Sequence, residues 1–350
     1  MGNLLSQVFP PTPKFTEANL PDLAGRVYIV TGGYSGAGYE LTSMLYRAGA
    51  TVYIAGRSQT KAYDAIEQIT AASSIASEDE AEPQSISVGQ LKFLYIDLAD
   101  LSTIAPAVRR FLRWESRLDV LFNNAGVSCP PVGSVSKQGH ELQFATNALG
   151  PYLLTKLLSP ILESTAKSAA PADVRVVFAT STHAESVTTE INDDGTPGEI
   201  SLALDSTHLT PPNTASTASP QANYAASKLA NFFLAHHFST LSRPKGILSL
   251  VQNPGGMMTP LLRHMPSWVP LVFAPFLYPP RFGAYTQLFA GLSPDLSVDE
   301  HSGRWIQPWG RVHAGPRREI LAAARSKAEG GTGLAAEVIQ YCERETRSFS

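Results

Sequence analysis

Arg26-Val27-Tyr28-Ile29-Val30 leads into Thr31-Gly32-Gly33-Tyr34-Ser35-Gly36-Ala37-Gly38, and this stretch decides the fold. The first run, β-branched and aromatic, has the composition of a strand buried on both faces. Glycines at the turn permit dihedrals closed to other residues and let a ligand approach the main chain. The following segment carries Leu41, Leu45 and Ala48 on one face and stops at Gly49, as a crossover helix packed on a sheet should. Strand, glycine turn and helix in that order suit a pyrophosphate, because the helix N-terminus offers free N–H groups and the positive end of its dipole.

Working outward, strand-like runs at Thr51 to Ala55, Leu91 to Ile96, Leu118 to Phe122, Val174 to Ala179 and Ile247 to Val251 alternate with helical stretches. Such alternation predicts an α/β fold: a single Rossmann-type domain with a doubly wound parallel sheet. With 350 residues, one domain with extensions is preferred over two. A proline-rich leader over 1–22 precedes a domain over 23–310, and 311–350 reads as a C-terminal helical extension with helices at Arg317 to Glu329 and Leu334 to Glu345. Arg304-Trp305-Ile306 reads as an edge strand. Three segments break the rhythm. Ser73 to Gly89, rich in Ser, Ala and acid, reads as a surface loop. The insertion over 182–222 reads as a lid. Trp268 to Pro280, within a substrate loop over 257–280, is apolar and broken by Pro270, Pro275 and Pro279, which favours a pocket wall over a membrane-touching patch.

The balance of 27 basic against 30 acidic residues gives a net charge of -3, with no footprint for nucleic acid or an anionic membrane. Cys129 and Cys342 make neither a disulfide framework nor a zinc site. His183, His236 and His237 lack metal-ligand partners at useful spacing and read as structural or surface residues, so no metal is expected. No stretch approaches the ~18 apolar residues of a membrane span, and the first residues lack the basic flank and apolar core of a secretory signal. A cytoplasmic location is expected, without stable membrane insertion. Met1-Gly2-Asn3-Leu4-Leu5-Ser6 fits a loose pattern for myristate on Gly2, a single chain that holds a membrane only marginally without a polybasic run.

A Rossmann site that prefers NAD carries Asp or Glu about 20 residues past the glycines, where it accepts from the ribose 2′-OH. This chain has Ala55-Gly56-Arg57-Ser58 and no carboxylate from Thr51 to Thr60. Arg57 instead suits a 2′-phosphate through paired charge-assisted hydrogen bonds, with Lys61 one turn on as a stand-in. NADP(H) is the expected cofactor; a solvated surface arginine is the alternative.

With these residues in view, the chain resembles the classical branch of the short-chain dehydrogenase/reductase family over roughly Leu23 to Trp309. The Thr-Gly-x-x-x-Gly-x-Gly spacing at Thr31 to Gly38 carries the resemblance, implying cofactor contacts at Thr31, Gly32, Tyr34, Ser35, Gly36 and Gly38. Asn123-Asn124-Ala125-Gly126 closes the fourth strand like the family motif beside the adenine ribose, which brings in Asn124, Ala125 and Gly126. Asp97-Leu98 resembles its adenine contact. Asn253-Pro254-Gly255 resembles the segment that faces the carboxamide, with Pro254 and Gly255 as backbone contacts and Thr259 as a side-chain contact.

The catalytic set implied by the resemblance is Asn147, Ser181, Tyr224 and Lys228. Asn147 lies in Phe144-Ala145-Thr146-Asn147-Ala148-Leu149-Gly150, Ser181 ends the fifth strand, and Tyr224-Ala225-Ala226-Ser227-Lys228 opens the helix after the insertion. Tyr and Lys at i and i+4 share a helix face. A phenol titrates near 10, and a neighbouring ammonium together with an oxidised nicotinamide favours phenolate, so Tyr224 exchanges a proton with the reacting oxygen. Ser181 donates a hydrogen bond to that oxygen. By resemblance, Lys228 also binds the nicotinamide ribose and Asn147 holds a water that relays protons.

Two features depart from small members. The Ser181 to Tyr224 gap is long, so substrate does not carry over. Gly303-Arg304-Trp305-Ile306-Gln307-Pro308-Trp309-Gly310-Arg311 and the C-terminal helices resemble fungal, retinol-dehydrogenase-like members, many serving secondary metabolism. The resemblance therefore implies an NADP(H)-dependent oxidoreductase for an apolar small-molecule ketone, aldehyde or alcohol. It also implies a homodimer or homotetramer through helices beside the sheet, unless the extensions block that contact. NAD-linked alcohol oxidation and a non-redox binding or scaffold protein on the same fold are the competing readings.

Overall fold

The computed structural model describes residues 6–78, 89–187, 189–191, 197–200, 219–264 and 274–350. Strands β1 (Val27–Thr31), β2 (Thr51–Gly56), β3 (Gln90–Tyr95), β4 (Val120–Asn123) and β5 (Arg175–Ala179) are followed by a hairpin, β6 (Thr189–Ile191) and β7 (Pro197–Ile200). Then come β8 (Leu248–Gln252), β9 (Trp305–Gln307) and β10 (Arg311–Val312). The main sheet has eight strands in the order β10-β9-β8-β5-β4-β1-β2-β3, and only the β9–β10 pair is antiparallel. Val30 pairs with both Ile54 and Phe122, so β1 lies where the winding reverses, the point at which open α/β sheets bind ligands.

Helices α1 (Gly36–Arg47), α2 (Gln59–Glu78), α3 (Ile104–Trp114), α4 (Gly150–Ala166), α5 (Pro220–Ser242), α6 (Pro280–Leu292), α7 (Arg318–Ala324) and α8 (Leu334–Thr346) flank the sheet. One core joins Phe111, Leu153, Phe178, Phe233 and Trp305 beneath α3, α4 and α5. The other joins Leu41, Leu45, Phe122, Leu288 and Phe289 beneath α1 and α6. Helix α6 presses so closely that a Cβ on Gly291 would lie 2.3 Å from the Phe122 ring.

Several sequence expectations need correction. Ser73 is not the start of a loop: α2 runs on to Glu78, and the Ser73 hydroxyl donates back to Ile69 O at 2.9 Å, which satisfies it within the helix. The remainder of that segment, 79–88, lies outside the described residues. Trp305 and Ile306 are not at an edge, since β9 pairs with β8 on one side and β10 on the other. Tyr224 sits in the second turn of α5, because Ser219 accepts from Ala222 N as N-cap and Pro220 starts the helix. Helix α6 goes unread in the sequence: it is buried from Gly283 to Gly291 and so has no polar stripe to mark its period. The first C-terminal helix ends at Ala324, with a separate 3₁₀ turn at Lys327–Glu329.

The C-terminal segment is part of the domain core, with Ile320, Val338, Tyr341 and Cys342 buried. Helix α8 lies across α4 and the turn before it: Glu343 accepts from Lys156 at 2.9 Å and from the Tyr152 hydroxyl, and Tyr341 Oη lies 3.1 Å from His140 Nδ1. The leader is tied down as well. Arg311 donates to Ser6 O at 2.6 Å and Asn253 Nδ2 to Gln7 Oε1 at 2.9 Å. Among the described residues, no helix is long and apolar enough to cross a membrane.

Candidate active site

A cleft of about 600 Å³ crosses the C-terminal ends of the parallel strands, with Gly32 at β1, Gly56 at β2, Asp97 beyond β3, Asn124 at β4, Thr180 at β5 and Pro254 beyond β8. Tyr34, Ser35, Gly36 and Ala37 bring the loop and the N-terminus of α1 into its wall. Gly32 and Gly36 take φ values of 67° and 56°, which favour glycine. Thr31 and Gly38 stand behind the wall. The Thr31 hydroxyl accepts from Asn124 N and Ala125 N, both at 2.9 Å, and donates to Phe122 O at 3.2 Å. Asn124 Nδ2 donates to Thr31 O at 2.8 Å, and a Cβ on Gly38 would meet that same nitrogen at 2.5 Å. These two residues shape the cradle and leave the Asn124-Ala125-Gly126 backbone to line it.

At the end of β2, Arg57, Ser58 and Lys61 line the rim, and Arg57 is exposed. Asp97 is the single carboxylate in the described wall, beside Leu98, and its Oδ1 accepts from Ala99 N at 2.9 Å. Pro254 and Thr259 line the cleft. Gly255 turns away from it at φ 85°, packed so that a Cβ would lie 3.3 Å from Pro308.

Deeper in, Tyr224 and Lys228 are buried one turn apart on α5. Lys228 Nζ lies 5.7 Å from the Tyr224 ring centroid and donates to Ala179 O at 2.9 Å. Burial pushes the Lys228 ammonium down to about 8. Burial pushes the Tyr224 phenol up, while a hydrogen bond with Ser181 pulls it down. Thr180 anchors α5 to β5 by donating to Lys228 O at 2.7 Å. Asn147, in a π-helical turn at Ala145–Leu149, is engaged at both ends of its amide: Oδ1 accepts from Val127 N at 2.8 Å, and Nδ2 donates to Val127 O at 3.0 Å and Ser227 Oγ at 2.9 Å. A Cβ on Gly126 would lie 3.2 Å from Asn147 Oδ1 and 3.4 Å from Lys228 Nζ, so the groups gather around a bare backbone. The structure thus brings Ser181, Tyr224, Lys228 and Asn147 together, with the Asn147 side chain occupied by protein partners.

Residues 26–191 match the short chain dehydrogenase family model. A short-chain dehydrogenase/reductase of Phomopsis amygdali is 42% identical over 357 residues, covering 100% of this chain and 98% of its own length. The chain belongs to the short-chain dehydrogenase/reductase family. Short-chain dehydrogenase/reductase bet4 of Neocamarosporium betae is 38% identical, covering 100% of this chain and 94% of its own. An uncharacterized protein from Mycobacterium Paratuberculosis has a TM-score of 0.62 at 26% identity, covering 96% of this chain and 98% of that one. The RhlG/NADP active-site complex of Pseudomonas aeruginosa shares the fold at TM-score 0.58 and 22% identity, covering 86% of this chain and 98% of that one. Membership makes the protein an oxidoreductase that works with a nicotinamide cofactor.

In this short-chain dehydrogenase/reductase, two site neighbours escaped the sequence reading. Gln143 accepts from Cys129 N at 2.8 Å, where Cys129 takes a left-handed φ of 47°, and donates to Pro220 O at 2.9 Å, tying that turn to the start of α5. His183 is not a bystander: its Nδ1 lies 3.1 Å from Ser181 Oγ and its ring stands edge-on to Tyr224 with centroids 5.6 Å apart. Desolvation by the surrounding chain pushes its imidazole below the usual value, although the residue keeps a solvent-facing edge. The signal available was a histidine two residues after the serine; that serine lies two residues past β5, in the cap of a 3₁₀ turn and not at the strand end expected from the sequence. Of the walls expected for substrate, 188, 192–196, 201–218 and 265–273 lie outside the described residues.

Proposed function

We propose that this enzyme uses NADP(H) to interconvert a carbonyl and an alcohol on an apolar small molecule. The observation that carries the cofactor choice is the end of β2: Arg57, exposed, with Lys61 beside it and no carboxylate lining that end. A 2′-phosphate would find paired donors there, and a 2′-hydroxyl would find no acceptor of the NAD type. The cleft fits the dinucleotide because glycine backbone and the N-terminus of α1 form the wall where a pyrophosphate lies. When bound, the nicotinamide supplies or accepts the hydride.

The chain's own residues handle the proton. Tyr224 gives its phenolic proton to the nascent alkoxide, or takes one in the reverse direction. Lys228, held near neutral titration by burial, favours the phenolate when charged. Ser181 donates to the same substrate oxygen and stabilises charge as it develops. Asn147 fixes the helix turn against Val127 and Ser227, which keeps Lys228 beside Gly126. Val127, Leu142, Met257 and Leu261 line the cleft and favour an apolar substrate.

The test is Arg57→Ala with binding of NADPH and NADH measured side by side. NADPH affinity should fall about 10- to 100-fold while NADH affinity stays within twofold. Equal losses for both, or tighter NADH binding by the wild type, overturn the NADP(H) reading.

A further inference from the structure

We infer that His183 is a positioning residue that keeps the Ser181 hydroxyl as an acceptor on its own side, so that the Ser181 hydrogen is directed at Tyr224 and the substrate oxygen. This rests on the proposed roles of Ser181 and Tyr224 in proton handling. Ser181, two residues past the end of β5, is extended and caps the 3₁₀ turn Thr182–Ser186, which returns His183 over the Ser181 side chain. Two nitrogens of His183 then approach one oxygen: backbone N at 3.3 Å and ring Nδ1 at 3.1 Å from Ser181 Oγ.

A serine hydroxyl has one hydrogen and two lone pairs. The His183 backbone N–H takes one lone pair. With the proton on Nδ1, the ring takes the other, and the Ser181 hydrogen must leave in the remaining direction, where it meets Tyr224. With the proton on Nε2, the bare Nδ1 lone pair would draw that hydrogen to the ring, and Ser181 would have nothing to donate. The donor role of Ser181 therefore requires the Nδ1–H form. The surroundings permit it: Nε2 has no hydrogen-bond partner among the described residues and His183 is exposed, so water can serve as donor to that nitrogen. The edge-on contact with Tyr224 fixes the ring plane.

Two measurements test this. Long-range ¹H–¹⁵N NMR of the protein without cofactor should show His183 protonated on Nδ1, and Ser181→Ala should shift it toward the Nε2–H form. An Nε2–H wild type overturns the inference, and this readout needs no substrate. In kinetics with NADPH and 9,10-phenanthrenequinone as the probe, His183→Ala should lower kcat about 10-fold with KM within twofold. His183→Asn, whose amide nitrogen superposes on Nδ1, should recover most of the loss; His183→Leu should not. An Asn variant no better than Ala, or an Ala variant with wild-type kcat, overturns it. Tyr224→Phe separates the two levels: unchanged turnover sinks the proposed function itself, whereas lost turnover with an indifferent His183→Ala sinks only the positioning role.

Discussion

A buried cation stands at each end of strand β5, Arg175 on the strand itself and Lys228 reaching it from α5, and the protein treats them differently. At the entry, Arg175 gives Nε to Ala172 O at 2.6 Å, Nη1 to Ala290 O at 3.1 Å and Nη2 to Ser293 O at 2.8 Å. Two of those carbonyls close the C-terminus of α6, where a cation also faces the negative end of the helix dipole. At the exit, Lys228 gives a single hydrogen bond, to Ala179 O, among the described residues. Burial lowers both, Arg175 to about 10 and Lys228 to about 8. The guanidinium thus stays charged at neutral pH, with each of its three nitrogens donating to a carbonyl and three of its five N–H donors used. The ammonium opens into the cleft with two of its three donors uncommitted. A buried cation tied at every nitrogen to backbone carbonyls, away from the cleft, is scaffold; one held by a single bond and facing the cleft is held ready for a ligand.

The strongest way to break that contrast is Lys228→Met. If the cleft-facing end is chemical, turnover should fall about 10³-fold or more, since Tyr224 loses the charge that favours its phenolate. Steady-state kinetics with NADPH settles it, and a loss below tenfold would move Lys228 into the scaffold class. Arg175→Leu should act in the opposite register. It removes the guanidinium donor from three carbonyls, of which Ser293 O keeps Leu296 N at 3.4 Å, and should cost about 3–5 kcal/mol in urea unfolding, with kcat of the folded protein unchanged. A cost under 1 kcal/mol would mean that water or the backbone replaces the guanidinium, and its three bonds would then carry no weight.

The two ends also differ in how far they could be read before the fold was known. Lys228 and Tyr224 were legible because a one-turn spacing on a helix is a local property, and Gly32, Gly36 and Gly126 because close backbone approach excludes side chains. Arg57 was legible as a cleft-lining residue, because it directly follows the second strand. Arg175 was not, because its acceptors Ala290 and Ser293 stand 115 and 118 residues away and no periodicity encodes that meeting. Gln143 fails for the same reason, joining Cys129 to Pro220 across two loops. His183 was two residues from Ser181 and still misread, since only the 3₁₀ turn at Thr182–Ser186 folds the ring back onto the serine. Helix α6 disappeared because burial on every side erases the polar stripe by which a helix is seen.

The smallest expected effect sharpens the contrast through stability. Lys228 titrates near 8 in the fold and near 10.5 in the open chain, so below pH 8 both forms carry the proton and the native state bears the full cost of an ammonium held out of water. Between pH 8 and about 10.5 the native protein releases the proton while the unfolded chain keeps it, and the cost fades as pH rises. Lys228→Met removes the charge, and Ala179 O keeps a donor in Asn231 Nδ2 at 3.0 Å. The variant should therefore be more stable than the wild type by about 2–3 kcal/mol at pH 7, with the margin shrinking steadily from pH 8 to 10. Urea midpoints at several pH values read this directly. A variant less stable at pH 7, or a margin flat across that range, would show that Lys228 is as well accommodated as Arg175, and that the cleft end of β5 stores no strain for chemistry.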